Sequence, residues 1–111
     1  MLENSKYYNI DKLLNYSGST FIEKMIRMFI SSTDEYFFKM NMAIKENDLE
    51  QMNKLAHYIK PSVDLLNINS IRQSIREIEK ATEISNDLIE VINYTNQELQ
   101  LASKQMQNDY K

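Results

Sequence analysis

His57 is the only histidine in a chain of 111 residues that contains no cysteine. A neutral imidazole offers a ring lone pair to electrophiles near neutral pH, which makes His57 the one chemically distinctive nucleophile here. Lys60 follows three residues later, one helical turn along, where an ammonium can neutralise the oxygens of a phosphoryl group carried by the ring. An exposed imidazole on a rigid helix, with a cation at that spacing, can accept a phosphoryl group from an aspartyl phosphate presented by another protein. Other chemistries lack their residues. One histidine and no cysteine cannot build a histidine-rich or thiolate metal centre, and the carboxylates lack the Glu-x-x-His pattern of di-iron bundles. No Gly-rich loop is present to hold a nucleotide phosphate, and no serine or carboxylate pair has a histidine base at evident spacing. We therefore expect no metal, no cofactor, no kinase activity and no small-molecule enzyme chemistry.

The element that must position His57 is the stretch 47–67. Leu49, Met52, Leu55, Ala56, Ile59, Val63 and Leu66 recur every three or four residues, as one buried face of a helix requires. At about 100° per residue His57 lies about 140° from the centre of that stripe, so its ring is expected in solvent. Asn53, Lys54, Lys60, Pro61 and Asp64 stand three, four or seven residues away and share its surface, where Asn53, Lys54, Pro61 and Asp64 are candidate partner-docking residues. Pro61 has no N–H for the His57 carbonyl and disfavours helical geometry at Lys60. Val63 and Leu66 nevertheless stay in phase with the residues before it, which predicts a continuous, kinked helix with the proline ring toward water.

Around this helix the rest of the chain reads as further helices. Asn9, Ile10 and Asp11 open a short one over 11–16, after a polar, tyrosine-bearing start over 1–9. Gly18 is expected to end it in the left-handed C′ position, with Ser19 or Thr20 capping the next and Glu23 completing a capping box. A long helix follows, with Phe21, Ile22, Met25, Ile26, Phe29, Tyr36, Met40, Ala43 and Ile44 on one face. Phe38 and Met42 fall off that stripe and are expected to pack under Tyr7, Tyr8 or Ile10 rather than to form an exposed patch. Asn47 or Asp48 caps the histidine helix, and Asn67 suits its left-handed end. Asn69 or Ser70 then caps a short helix burying Ile71, Ile75 and Ile78, with Arg72 and Arg76 as a basic edge. The last helix starts between 82 and 87, carries Leu88, Ile92, Thr95, Leu99, Ala102 and Met106, and runs to about 107. The expected fold is all-α: an antiparallel four-helix bundle with a short additional N-terminal helix across one end, forming a single domain over 1–111.

Composition narrows the setting. The net charge of −3, with both signs interspersed, argues against nucleic acid. No apolar run is long enough to cross a bilayer, and the first ten residues lack the basic start and apolar core of a signal peptide. With no cysteine, a reducing compartment is the default expectation, so the chain is assigned to the cytoplasm, away from membranes. One glycine and one proline leave little material for a turn-rich β fold. The initial methionine and the complete set of helices favour a stand-alone protein.

At this point the sequence resembles a known family. Leu55-Ala56-His57-Tyr58-Ile59-Lys60-Pro61-Ser62 is similar to the His-x-x-Lys-Gly core of histidine-containing phosphotransfer (HPt) domains, in which an apolar residue and an alanine usually come before the histidine. Asn67-Ile68-Asn69-Ser70-Ile71 likewise resembles that family's Gly-apolar-x-x-Leu turn into the next helix. The resemblance implies a four-helix bundle in which His57 is the phosphoacceptor and Lys60 supports the phosphoryl group. It also implies that the partners are receiver domains of a hybrid histidine kinase or a response regulator, met by a monomer within a multistep phosphorelay. The alternative reading is a helical module that docks a receiver or another bundle without taking phosphate. The chain departs from the pattern in three places: Pro61 and Asn67 replace glycines, and Asp64 adds a negative charge. Asp64 stands four residues from Lys60, where it is expected to occupy the ammonium or to repel the phosphoryl group.

Overall fold

Apolar side chains at helical spacing turn each long segment inward on one face, and the computed structural model follows that periodicity closely. It describes residues 7–110; residues 1–6 of the polar start, and residue 111, lie outside the described part. The elements are α1 Asp11–Leu14, α2 Ser19–Lys45, α3 Leu49–Leu65, a 3-10 turn Asn69–Ile71 running into α4 Arg72–Lys80, and α5 Asn86–Asp109. Among the described residues there is no strand. α3 packs against both α2 and α4, and α5 closes the ring against the same two helices.

The core is built from Ile22, Ile26, Phe29, Tyr36, Met40 and Ala43 of α2, and Met52, Leu55, Ala56, Ile59 and Val63 of α3. Ile75 and Ile78 of α4 and Leu88, Ile92, Leu99, Ala102 and Met106 of α5 complete it. Full burial of side chains of this size contributes about 1.5–3 kcal/mol each. Two buried threonines are satisfied locally: the Thr33 hydroxyl donates to the Phe29 carbonyl at 2.8 Å, and Thr95 Oγ1 meets Val91 O and Ser74 Oγ, each at 2.8 Å.

Asparagine follows the C-terminal ends of both α2 and α3. Asn47 and Asn67 each adopt φ 54°, a left-handed conformation that asparagine tolerates better than most residues. At each end two N–H groups reach back. Asp48 N donates to Ala43 O and Asn47 N to Ile44 O, while Ile68 N donates to Val63 O and Asn67 N to Asp64 O, the Schellman pattern. Asp48 is also the N-cap of α3, its carboxylate accepting from Gln51 N at 3.1 Å. Ser85 caps α5 through Leu88 N in the same way. α3 is continuous through Pro61, whose ring is exposed, in agreement with the phase of Val63 and Leu66.

Several expected details differ. α1 is a single turn ending at Leu14, because Ser17 N and Tyr16 N both close onto Leu13 O. Gly18 is extended, at φ −74° and ψ 162°, and serves as the N-cap of α2 rather than as a left-handed terminator. The helix therefore begins at Ser19, which places Ser19 and Thr20 inside the first turn, where neither can cap it. No side chain caps the 3-10 turn or α4, so the capping role expected of Asn69 or Ser70 is not taken up. α5 continues two residues past the expected end, to Asp109.

The largest correction concerns Phe38 and Met42, which are 67% and 40% exposed. The described residues before α1 do not cover them, because Tyr8 and Asn9 are tied to the C-terminal ends of α3 and α5. Asn9 N donates to Leu66 O at 2.8 Å, Asn67 Nδ2 to Asn9 O at 3.1 Å, and the buried Tyr8 hydroxyl to Asp109 Oδ2 at 2.6 Å. Burial, reinforced by the hydrogen bond to Asp109, pushes the Tyr8 hydroxyl pKa well above that of a free phenol and keeps it a donor.

Candidate functional site

His57 stands on the solvent side of α3, with its side chain 69% exposed. The stripe that buries Met52, Ala56 and Ile59 rotates it outward, as the wheel requires. Its Nδ1 lies 2.6 Å from Oε2 of Glu79, near the C-terminal end of α4. The other oxygen of the same carboxylate, Oε1, accepts from Lys60 Nζ at 2.7 Å. Glu79 thus bridges the imidazole and the ammonium. The Lys60 hydrogen bond, and after it the His57 hydrogen bond, hold the Glu79 carboxyl below its ordinary pKa of 4.5, outweighing the opposing effect of burial.

The bridge has a chemical consequence for the ring. An ionised carboxylate only accepts, so the proton between Glu79 and His57 belongs to Nδ1, and a neutral imidazole then has its lone pair on Nε2. Glu79 therefore selects the tautomer, restrains ring rotation and stabilises positive charge on the ring, while the exposed face remains available to a reactant. Asn53, Lys54, Tyr58 and Glu79 surround His57 in a shallow, open depression.

The expected docking residues separate into two kinds. Lys54 is exposed and pairs along the helix with Glu50 at 3.6 Å, and Pro61 is exposed, so both remain on the surface around His57. Asn53 is different. It is half-buried, and its Nδ2 donates to Ile78 O at 2.7 Å and to Ala81 O at 3.3 Å. Its amide is spent on carbonyls at the end of α4, where Ile78 O otherwise accepts only a long 3.4 Å bond from Ala81 N, so it clamps α3 to α4 and offers no free donor to a docking protein.

Asp64 also departs from expectation: it neither occupies Lys60 nor stands alone. Arg72 Nε lies 3.5 Å from Asp64 Oδ1, and the same guanidinium donates to Asp64 O at 3.1 Å and Asn67 Oδ1 at 2.6 Å. Arg72 thus neutralises Asp64 and braces the left-handed Asn67, while Glu79 takes Lys60.

Glu79 is the residue of the candidate site that spacing along α3 could not reveal. It lies 22 residues from His57, beyond any helical spacing. A signal was nonetheless present in the register. If α4 folds back along α3 about Ile68, then His57 and Glu79 each lie eleven residues from the pivot. Asp64 and Arg72 each lie four from it, so one pivot accounts for both cross-helix pairs.

Among the described residues no group of histidine, cysteine or carboxylate side chains could hold a metal ion, and no helix is long and apolar enough to cross a membrane. Comparison of the chain with models of protein families, with curated proteins and with solved structures finds no match.

Proposed function

We propose that this chain is a histidine phosphocarrier of the HPt kind, an antiparallel four-helix bundle that passes a phosphoryl group between receiver-domain aspartates in the cytoplasm. The observation that carries the reading is the exposed imidazole with Nδ1 held by Glu79, the carboxylate that also holds Lys60. In the forward step the Nε2 lone pair attacks the phosphorus of an aspartyl phosphate. A P–N bond forms, the P–O bond to the acyl oxygen breaks, and the aspartate leaves as a carboxylate. The Nδ1 proton stays in place, so the ring becomes cationic, and the adjacent Glu79 carboxylate offsets that charge. Lys60, one turn away, supplies positive charge to the phosphoryl oxygens in transfer and product. The reverse step returns the group to a second receiver. No base has to remove a proton at any stage, which suits a carrier without catalytic machinery of its own.

The test is to incubate the protein with a receiver domain phosphorylated on its aspartate and to follow the label. Wild type should take it up in an acid-labile, base-stable linkage, and His57→Gln should not. Equal labelling of the two would defeat the reading. Binding of the receiver without any transfer of label would select the alternative, a docking module that carries no phosphate.

A further inference from the structure

α2 has a second stripe that the core does not use. Phe21, Lys24, Met28, Ser31, Glu35 and Phe38 follow one another at spacings of three, four, three, four and three, and every one of them is exposed. At about 100° per residue this stripe is centred about 140° from the buried one. Phe21 and Met28 are 57% and 63% exposed, and Phe38 matches them, which is unusual for large apolar side chains on one helix face. Spacing that alternates three and four is that of a two-helix seam, in which each apolar side chain inserts between residues of a facing helix.

The occupant is indicated by the order of charges along the stripe. Lys24 is the charge in its N-terminal half and Glu35 the charge in its C-terminal half, and both are exposed. Outside the centre, where Met28 and Ser31 differ, the pattern reads the same from both ends once the sign of charge is exchanged: apolar then basic, acidic then apolar. A two-fold axis between residues 29 and 30 sets Phe21 against Phe38 of a second copy, Lys24 against its Glu35, and Met28 against its Ser31. A parallel pairing would instead put Lys24 on Lys24 and Glu35 on Glu35. We infer that the outward face of α2 is an isologous interface on which two copies of this chain pair with their α2 helices antiparallel.

The association is weak and concentration-dependent, because one helix pair buries a small area and the Lys24–Glu35 contacts set register more than they add affinity. Glu35 already meets Lys39 on its own helix at 3.0 Å in an exposed pair, which a facing Lys24 joins rather than breaks. His57 lies on α3 and is bridged to α4, so the pairing makes no use of it. The inference stands independently of the proposed phosphotransfer, although it departs from the monomer expected from sequence.

Sedimentation equilibrium from micromolar to millimolar concentration tests it. The mass of wild type should rise from 13.2 kDa toward twice that value. Lys24→Glu and Glu35→Lys each place like charges across the seam twice, and each should weaken the dimer by about tenfold or more. An equimolar mixture of the two variants restores opposite charges only between different chains, and should recover the wild-type affinity. Both substitutions are exposed and should leave the helical circular dichroism unchanged. A wild-type chain that stays monomeric throughout overturns the proposal and leaves the face to a different protein. A dimer that ignores both single variants, or a mixture that fails to recover, places self-association on another surface and overturns it equally.

Discussion

Replacing Asn53 with alanine distinguishes a docking residue from a structural clamp, because the two roles predict opposite readouts. The Asn53 amide donates to Ile78 O and Ala81 O, and α4 is only nine residues long, so its C-terminal carbonyls are a large part of what fixes it to α3. Two such hydrogen bonds contribute about 1–3 kcal/mol together, at a net 0.5–1.5 kcal/mol each. Alanine recovers roughly 0.5 kcal/mol through its higher helix propensity, leaving a loss of about 0.5–2.5 kcal/mol. At about 2.1 cal/mol/K of unfolding entropy per residue, each kcal/mol lowers the melting temperature of a chain this size by about 4 °C, so the expected fall is roughly 2–10 °C. Asn53→Asp separates propensity from bonding. It has nearly the same shape, shares the low helix propensity of asparagine, lacks both donors and turns a carboxylate toward two carbonyls, so it should fall further than alanine. Thermal unfolding followed by circular dichroism provides the measurement, with the phosphoryl transfer rate of the folded protein taken alongside. An unchanged melting temperature for Asn53→Ala together with slowed transfer would refute the clamp and return Asn53 to the docking surface.

The remaining predictions bear on the bridge and the proline. Lys60→Ala should slow phosphoryl transfer about tenfold or more if the ammonium supplies about 1.4 kcal/mol of transition-state stabilisation; transfer kinetics equal to wild type would reduce Lys60 to a helix charge paired with Glu79. Glu79→Gln should slow transfer at His57 by loosening the ring and removing the negative charge opposite Nδ1, which single-turnover labelling reads directly. The same variant has a pH signature. A carboxyl held below its ordinary pKa of 4.5 contributes stability above that value, and the contribution is lost as pH falls through the lowered folded value. The gap in melting temperature between wild type and Glu79→Gln should therefore be present at neutral pH and close below about 4.5; a gap that widens in acid contradicts the bridge. Pro61→Ala should hold or raise the melting temperature, because the alanine restores a donor for the His57 carbonyl within a helix already continuous there. A clear drop would count against that account.

Much of this molecule could be read from local pattern. The rotation of His57 away from the core, the continuity of α3 through Pro61 and the left-handed asparagine after α3 all depend on residues within a turn or two of one another. Helical periodicity and backbone sterics act over that range, and they are written in the order of residues. The meeting of Glu79 with His57 and Lys60, the capture of Asp64 by Arg72 and the commitment of Asn53 to α4 are of another kind. Each joins two helices, so it depends on the rotation of α4 about its axis and on its register along α3, which the turn at Asn67 and the burial of Ile75 and Ile78 decide together. Phe38 and Met42 show the same division from the other side. Their distance from the core stripe was plain in the helical wheel, but only the attachment of Tyr8 and Asn9 to the ends of α3 and α5 determined that these two residues pack elsewhere.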